Sequence, residues 1–234
     1  MINLAAAVLD PLLRGEVSKP RITYYDDATG ERIELSTVNF ANWAAKTGNL
    51  LRDELAAGPG SRVAVLLPTH WQTAAVVFGV WWIGAEVVLG EAENADVAMC
   101  TAGELATASD VAELVVLSLD AFGKPVPDLP AGVTDYATSV RGQADQITAE
   151  RQPGAALGGR SPDDVLALAM NSAAAQSLTA QDRVLSTMHW NTDSQLVDGL
   201  VAVFAAGASL VQVGNPDVLL IEKRRESERV TRAI

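Results

Sequence analysis

Two segments of the chain have the same order of elements, and this repetition constrains the fold more than any other feature of the sequence. Residues 62–89 read as an apolar strand, a turn at Pro68, an apolar helix that ends at Gly84, and a second strand. Residues 183–213 repeat this order, with Gly207 at the helix end, where the left-handed closing residue favours glycine. Two apolar strands joined by a helix form a right-handed parallel βαβ unit. The sequence therefore predicts an α/β fold with parallel βαβ units and helices on both faces, built as one doubly wound sheet or as two related sheets.

The rest of the chain extends this pattern at both ends. Turn residues, helix caps and apolar periodicity predict an N-terminal hairpin, a long helix after Ser36, a later alanine-rich helix and a final charged helix. Between the two repeats, residues 120–160 hold four of the ten prolines and many glycines, which is typical of an irregular connection. We expect a single domain over residues 1–234. The alternative is two subdomains, 1–120 and 160–234, joined by the irregular segment 120–160.

The net charge of −12 and the pI near 4.5 constrain the partners of the chain. An acidic surface repels phosphate backbones and anionic lipid headgroups, so we expect neither a nucleic acid nor a membrane as a partner. Charge is segregated only near the C-terminus, in a run that we interpret as the solvated face of the final helix. The run contains Lys223, Arg224, Arg225 and Arg229, interleaved with Glu222, Glu226 and Glu228.

Cysteine and histidine are too few for a disulfide framework or a metal centre. Cys100 is the only cysteine, and the two histidines, His70 and His189, are far apart in the sequence. We therefore assign no metal site. The N-terminus has no signal-type run, and the most apolar stretch, residues 73–89, is shorter than a membrane span and contains Glu86. From this lack of targeting signals we expect a cytoplasmic protein.

Three stretches carry a resemblance to a known enzyme superfamily. Residues 58–68 read GPGSRVAVLLP, residues 83–89 read IGAEVVL, and residues 178–185 and 205–211 read LTAQDRVL and AAGASLV. In this order they are similar to the N-terminal domain of adenylate-forming enzymes, which include acyl-CoA synthetases, peptide-synthetase adenylation domains and luciferases. The resemblance implies a truncated form of that domain, with its layered αβαβα arrangement. The motifs concerned determine the fold, and none of them is catalytic.

A short actinobacterial-type family of uncharacterised proteins resembles the chain more closely. It has the same truncated layout as this chain. It also shares the segments LSLDAFG at residues 117–123 and GVTDYAT at residues 132–138.

The place of the ATP-binding loop lacks the residues that such a loop needs. The family resemblance implies a Ser/Thr/Gly-rich loop, ending in Lys-Gly, between Val165 and Leu178, where its amides would hold the ATP phosphates. Residues 166–177 contain neither glycine nor lysine, and the run Ala173–Gln176 favours a helix whose amides bond internally. The family's Pro-x-aromatic-His motif is missing from residues 189–192. We therefore expect no nucleotide cofactor.

Four residues at predicted strand ends are candidates for binding a cofactor or ligand: His70, Trp71, His189 and Trp190. The mouth of a βαβ unit is where open α/β sheets bind ligands. A capping or packing role for His70 is the alternative, and so is a simple turn position for His189. No catalytic residue is assigned, because Ser186, His189 and Asp193 lack the Gly-x-Ser-x-Gly turn that would present a nucleophile.

These observations predict a catalytically degenerate, acyl-CoA synthetase-like or AMP-binding-like protein that acts as a binding or interaction module, with an unknown small molecule or protein as its partner. A remnant subunit of an acyl-activating or acyl-transfer enzyme, or an acyl-CoA- or nucleotide-binding protein, is the alternative. A homodimer is also left open. What distinguishes these readings is whether a pocket remains at the carboxyl ends of the strands near Leu67 and Leu185.

Overall fold

The computed structural model describes residues 2–121 and 123–234; Met1 and Phe122, which belongs to the segment 117–123, lie outside the described residues. Two five-stranded sheets form the molecule. The strands are β1 (Pro20–Asp26), β2 (Glu31–Ser36), β3 (Arg62–Leu66), β4 (Glu86–Leu89), β5 (Val97–Cys100), β6 (Glu113–Val116), β7 (Val133–Asp135), β8 (Arg183–Ser186), β9 (Ser209–Gly214) and β10 (Arg232–Ala233).

One sheet is mixed and the other is entirely parallel. The mixed sheet has the order β10-β8-β9-β1-β2, in which only the β1–β2 hairpin is antiparallel. The parallel sheet has the order β4-β3-β5-β6-β7. Each predicted βαβ unit lies in its own sheet, so the chain forms two related sheets. In the mixed sheet β1 pairs with β9, which places Ile22 opposite Leu210 and joins the two ends of the chain.

Helices lie between the two sheets and at the outer face of the mixed sheet. The helices are α1 (Leu4–Leu13), α2 (Thr37–Asn49), α3 (Trp71–Trp82), α4 (Tyr136–Arg141), α5 (Pro162–Ala175), α6 (Asp193–Leu196), α7 (Ala202–Ala205) and α8 (Val218–Ser227). The π-helical turns Leu50–Glu54 and Val197–Val201 extend α2 and connect α6 to α7. All twelve residues of α3 are buried, as expected for a helix that is apolar all round. Within the described residues, no helix is both long and apolar enough to cross a membrane.

The core follows from the two-residue period of the strands. Side chains alternate between the faces of a strand. In β3, Val63 and Val65 therefore join the main core between the sheets, whereas Ala64 and Leu66 join a smaller apolar cluster on the outer face of the parallel sheet.

The central helices approach each other closely. A Cβ atom on Gly79 of α3 would lie 2.8 Å from Thr47 Cβ and 2.9 Å from the Ala44 carbonyl oxygen of α2. Real Cβ atoms do not approach other heavy atoms so closely, so this packing requires glycine.

The segment between the repeats is better ordered than its composition predicts. It contains β7 and α4, and its backbone is bonded to the helices around it. The side-chain amide of Asn49 donates to the carbonyl oxygens of Ala144 (2.9 Å) and Gln146 (3.0 Å), and Trp81 Nε1 donates to the Ala156 carbonyl oxygen (2.8 Å).

The interpretation of the C-terminal charge run as a solvated face is wrong for two of its residues. Arg224 is only 12% exposed and pairs with Asp27, and its guanidinium lies 4.4 Å from the centre of the Tyr25 ring. Glu228 is 8% exposed; it accepts hydrogen bonds from the Tyr25 hydroxyl and from Arg183. Arg224 is therefore half-buried and Glu228, which follows α8, is buried, because each finds an opposite charge on the mixed sheet.

Candidate functional site

Two adjoining cavities open where the strands of both sheets end. The first, which we call the acidic cavity, has a volume of about 250 Å³. The ends of β1 and β9 and the turns after β3, β6 and β8 line it, and its polar side chains include Tyr24, Asp26, Glu31, His70 and His189. The second, the outer cavity, has a volume of about 440 Å³ and includes Leu66, Glu104 and Trp190. Pro68 lines both cavities, so they adjoin at the carboxyl edge of the sheets, and we refer to the two together as the cleft.

His70 is held at the N-terminus of α3 with one defined tautomer. Its Nδ1 accepts a hydrogen bond of 3.2 Å from the Gln72 backbone N–H, so the ring caps the helix. An Nδ1 that accepts carries no proton, and the neutral ring must therefore carry its proton on Nε2. That atom lies 3.5 Å from Glu31 Oε1, and the ring packs edge-on against Tyr24 with centroids 4.4 Å apart. The ring thus has the capping position that the alternative assigns to it, and a ligand-binding role for His70 stays a prediction.

The two carboxylates of the acidic cavity have different environments. Asp26 accepts hydrogen bonds from the backbone N–H of Ala28 (2.8 Å) and from the side-chain amide of Asn215 (3.1 Å). Glu31 Oε1 and His70 Nε2 are both buried, and neither forms a hydrogen bond with any group in the described part of the chain. The two atoms face each other across 3.5 Å, and each shields the other from solvent.

The negative charge of the cavity affects the pKa of Tyr24. Burial, together with the nearby carboxylates of Asp26 and Glu31, raises the pKa of the Tyr24 hydroxyl above its ordinary value. The Tyr24 side chain therefore stays neutral at physiological pH, and its oxygen adds a donor and an acceptor to the wall.

The four sequence candidates divide between three cavities. His70 and His189 both line the acidic cavity, His70 buried in its wall and His189 exposed. Trp190 is buried in the wall of the outer cavity, where its backbone N–H donates to Thr69 Oγ1 at 2.9 Å. Trp71 lies elsewhere, in a third cavity of about 300 Å³.

This third cavity, which we call the aromatic cavity, lies between α2, α3 and α4. Trp43, Trp71 and Tyr136 line it, and the two indoles meet edge-on with centroids 5.5 Å apart. Lys46 and Arg141 also line it, and the Lys46 ammonium group pairs with Asp145 at 2.9 Å. The aromatic cavity therefore combines apolar walls with cationic groups, unlike the cleft at the carboxyl edge.

The backbone amides of α5 and of the segment before it are already bonded within the chain. Helix α5 confirms the predicted helix through Ala175, so the amides of this run bond internally. Two glycine amides in the segment before α5 are bonded as well. The Gly154 N–H donates to the Gly84 carbonyl oxygen, and the Gly159 N–H donates to Glu86 Oε1 at 2.6 Å. A carboxylate therefore lies where an anion would need a free amide.

The remaining polar residues near β8 have structural partners. Ser186 is buried, and its hydroxyl accepts a hydrogen bond from the Met188 backbone N–H. Asp193 pairs with Arg160 at 3.1 Å. Over residues 2–121 and 123–234, no three His, Cys, Asp or Glu side chains are grouped so that they would hold a metal ion.

Sequence reasoning missed Tyr24, Asp26 and Glu31. Asp26 ends β1, and the rule that parallel strands bind ligands at their carboxyl ends would have selected it. No local signal marks Glu31, because it reaches the cavity only through the pairing of β2 with β1 and the packing of that hairpin against α3.

The comparison with curated proteins decides the family of the chain. It is 61% identical over 239 aligned positions to a TIGR03089 family protein of Mycobacterium tuberculosis, and the match covers 99% of this chain and 98% of that protein. The chain belongs to the TIGR03089 family. No protein-family model matches its sequence.

Solved structures confirm the fold. An acyl-CoA synthetase of Brucella canis superimposes with a TM-score of 0.82 at 16% identity, over 99% of this chain and 47% of that one. A benzoate CoA ligase of Burkholderia xenovorans superimposes with a TM-score of 0.77 at 17% identity, over 100% of this chain and 50% of that one. The TIGR03089 fold is therefore similar to the N-terminal part of adenylate-forming enzymes, and the chain spans about half the length of these solved chains.

Proposed function

We propose that this chain is a binding module that keeps the adenylate-forming fold but does not activate acids. The observation that carries the proposal is the charge of the cleft at the carboxyl edge. Three carboxylates, Asp26, Glu31 and Glu104, line its two cavities, and neither cavity has a lysine or arginine among the described residues that line it.

Adenylation needs the opposite charge. The triphosphate of ATP carries several negative charges, and enzymes that cleave it neutralise them with cations and with free backbone amides. In this cleft the carboxylates repel a polyphosphate. The amides of α5 and of Gly154 and Gly159, which an ATP-binding loop would need free, are bonded within the chain. The cleft is therefore suited to a small ligand that carries no phosphate.

The test is ATP–pyrophosphate exchange with a panel of carboxylic acids that includes benzoate. We expect no exchange above the buffer blank, with an intact benzoate CoA ligase as the positive control. Turnover comparable to that of the control would overturn the proposal. Repeating the assay with cell extract would address the remnant-subunit alternative, since a partner chain that completes the site would restore exchange.

The aromatic cavity favours a second candidate, a protein that binds nucleotides or acyl-CoA. Indole rings stack on bases, and the half-buried ring of Trp43 lines this cavity. The Lys46 ammonium group already pairs with Asp145 at 2.9 Å, so a phosphate would have to compete with that carboxylate. Thermal-shift measurements with AMP, CoA and an acyl-CoA test this candidate, because a ligand at one hundred times its Kd stabilises a fold by about 2.7 kcal/mol. A shift that Trp43→Leu abolishes would favour this candidate, whereas no shift with any of the three ligands would leave the acidic cleft as the binding site.

A further inference from the structure

A groove of about 520 Å³, which we call the amino-edge groove, lies at the opposite edge of the mixed sheet from the cleft. Strands β1, β8 and β9 are parallel, and the groove touches Arg21 near the start of β1, Ala180 before β8 and Gly207 before β9. Its volume falls within the range of about 300 to 1,000 Å³ that is typical of sites for small molecules. Helices α1, α5 and α7 supply apolar walls, with side chains that include Val8, Leu12, Leu166, Met170 and Phe204.

Arg21 places a buried positive charge in the wall of this groove. It is only 7% exposed, and its guanidinium carbon lies 6.0 Å from the centre of the Phe204 ring. Nη1 donates to the carbonyl oxygens of Gly207 (2.8 Å) and Ala208 (2.6 Å), and Nε donates to Thr37 Oγ1 (3.2 Å). A guanidinium has five N–H donors, and these bonds use three of them. The two donors on Nη2 have no acceptor in the described part of the chain.

The charge of Arg21 has no carboxylate beside it. Arg21 forms no ion pair with any of residues 2–121 and 123–234, and Glu16, which also lines the groove, pairs with Lys19 instead. Burial lowers the pKa of the Arg21 guanidinium below its ordinary value, but a guanidinium in a protein stays charged. The carbonyl oxygens at the end of α7 offset only part of this charge, because a helix C-terminus carries about half an elementary negative charge. The wall of the groove therefore favours an anion.

We infer that the amino-edge groove binds an amphipathic anion, a small molecule with an apolar chain and a single carboxylate or sulfonate head. The two donors on Nη2 of Arg21 match the oxygens of such a head, and hydrogen bonds between charged groups are the stronger ones. The apolar walls would take the chain out of water. A polyphosphate is disfavoured, because most of the lining is apolar and Glu16 adds a negative charge. The groove is separate from the cleft, so this inference goes beyond the proposed function.

The experiment compares four probes that have the same apolar chain and differ in the head: octanesulfonate, octanoate, 1-octanol and octylamine. Binding is measured by titration calorimetry at pH 7. We expect each anion to bind about tenfold or more tightly than 1-octanol, because only the anions form charge-assisted hydrogen bonds with Arg21. Octylamine should bind no more tightly than 1-octanol. Equal binding of the anions and the alcohol would overturn the assignment.

Three variants locate the site. Arg21→Gln removes the charge and keeps a side-chain amide donor, and we expect it to weaken octanesulfonate binding about tenfold while binding of 1-octanol is unchanged. Because Arg21 also bonds the end of α7, Met170→Glu provides a second test at a groove position that is 51% exposed. Its negative charge should weaken binding of both anions about fivefold. Leu168→Glu, 45% exposed on the same helix and outside the groove, is the matched control. If Met170→Glu and Leu168→Glu bind octanesulfonate equally, the groove is not the site.

A direct readout does not depend on any variant. In a ¹⁵N-labelled sample, octanesulfonate should shift the amide signals of Gly15, Met170 and Gly207, which line the groove. The amide signals of Gly90 and Gly214, which line the cleft, should not move. Shifts confined to the cleft would overturn the assignment. Its failure and that of the proposed function are separable, because pyrophosphate exchange tests the proposed function and does not depend on the groove.

Discussion

The outer faces of the two sheets are covered in different ways. On the parallel sheet an apolar cluster excludes water, and it includes Ala98, Cys100, Val111 and Val116. On the mixed sheet the cover is α8 with the residues that follow it. Its Arg224 and Glu228 pair with charged groups of the hairpin and of β8, and its Ile221 and Val230 pack on a small apolar cluster of Leu185, Val211 and Val213. One fold therefore closes one sheet by hydrophobic burial and the other by ion pairs around a smaller apolar cluster.

The two covers should differ in how a substitution or a change of pH reduces their stability. Hydrophobic burial is non-directional and roughly proportional to area, so losing one methyl group removes one increment of stability. A buried ion pair depends on both partners, because removing one leaves the other charged and without compensation. The cover of the mixed sheet should therefore be the more sensitive to single substitutions and to pH.

Neutralising Glu228 should have the largest effect. Glu228→Gln removes the buried carboxylate that Arg183 and Arg32 share and leaves them only the more exposed Glu34. We expect it to destabilise the protein by about 3 kcal/mol, the lower end for a broken buried ion pair. The midpoint of urea unfolding measures the loss. Glu226→Gln, on the exposed side of the same helix, is the matched control and should change stability by less than about 0.5 kcal/mol. Similar midpoints for the two variants would mean that the ion pairs do not hold the cover.

Truncating Val116 tests the apolar cover. This side chain is fully buried on the outer face of the parallel sheet, and Val116→Ala should destabilise the protein by about 2 kcal/mol through lost burial and a cavity. Urea unfolding at pH 7 and at pH 5 should give the same loss, since no titratable group is involved. A loss that changes with pH would remove the contrast between the two covers.

Acid should loosen the two covers in sequence. Burial alone would raise the pKa of the Glu228 carboxyl, but hydrogen bonds from Tyr25, Arg183 and Arg32 lower it below its ordinary value. A lowered pKa in the folded state means that this stabilisation is present above the unfolded-state pKa, about 4.3 for glutamate, and is lost as pH falls through the folded-state pKa.

Hydrogen exchange measures that order. Amides of α8 and β10 should lose protection at a higher pH than those of β5, which lies inside the parallel sheet. Simultaneous loss of protection in both regions would show that the two covers unfold as one cooperative unit.

Salt should have the smallest effect. Raising NaCl from 0.1 to 1 M shortens the Debye length from about 10 to about 3 Å, which screens exposed charges far more than buried ones. The difference in unfolding free energy between the unmodified protein and Glu228→Gln should therefore change by less than about 0.5 kcal/mol. A larger change would mean that the ion pairs of Glu228 are exposed to solvent.

The sequence predicts the elements of this fold well and their burial less well. Gly84 and Gly207, which end the two crossing helices, both have the expected left-handed backbone. The sequence does not show which charges near the C-terminus are shielded from solvent, because a charged run has the same pattern whether it faces water or a surface of opposite charge. Arg224 is half-buried only because Asp27, from the β1–β2 turn far away in the sequence, lies beneath it.

The candidate site can be predicted only in part, because it too depends on contacts between residues that are distant in the sequence. His70 and His189 could be selected because each follows a strand, and that rule is local. Glu31, which defines the charge of the cavity, needs the hairpin register and the docking of the hairpin on α3. Such long-range contacts leave no periodic signal in the sequence.

The parallel pairing of β1 with β9 has a consequence for synthesis of the chain. Ile22 and Leu210 are neighbours in the mixed sheet but are separated by about 190 residues along the chain. At 5–20 residues per second, the N-terminal hairpin leaves the ribosome about 10 to 40 seconds before its partner strand has been made. During that interval the edge of β1 that β9 will cover has open N–H and C=O groups, so this nascent hairpin is where a chaperone, or a second nascent chain, would bind first.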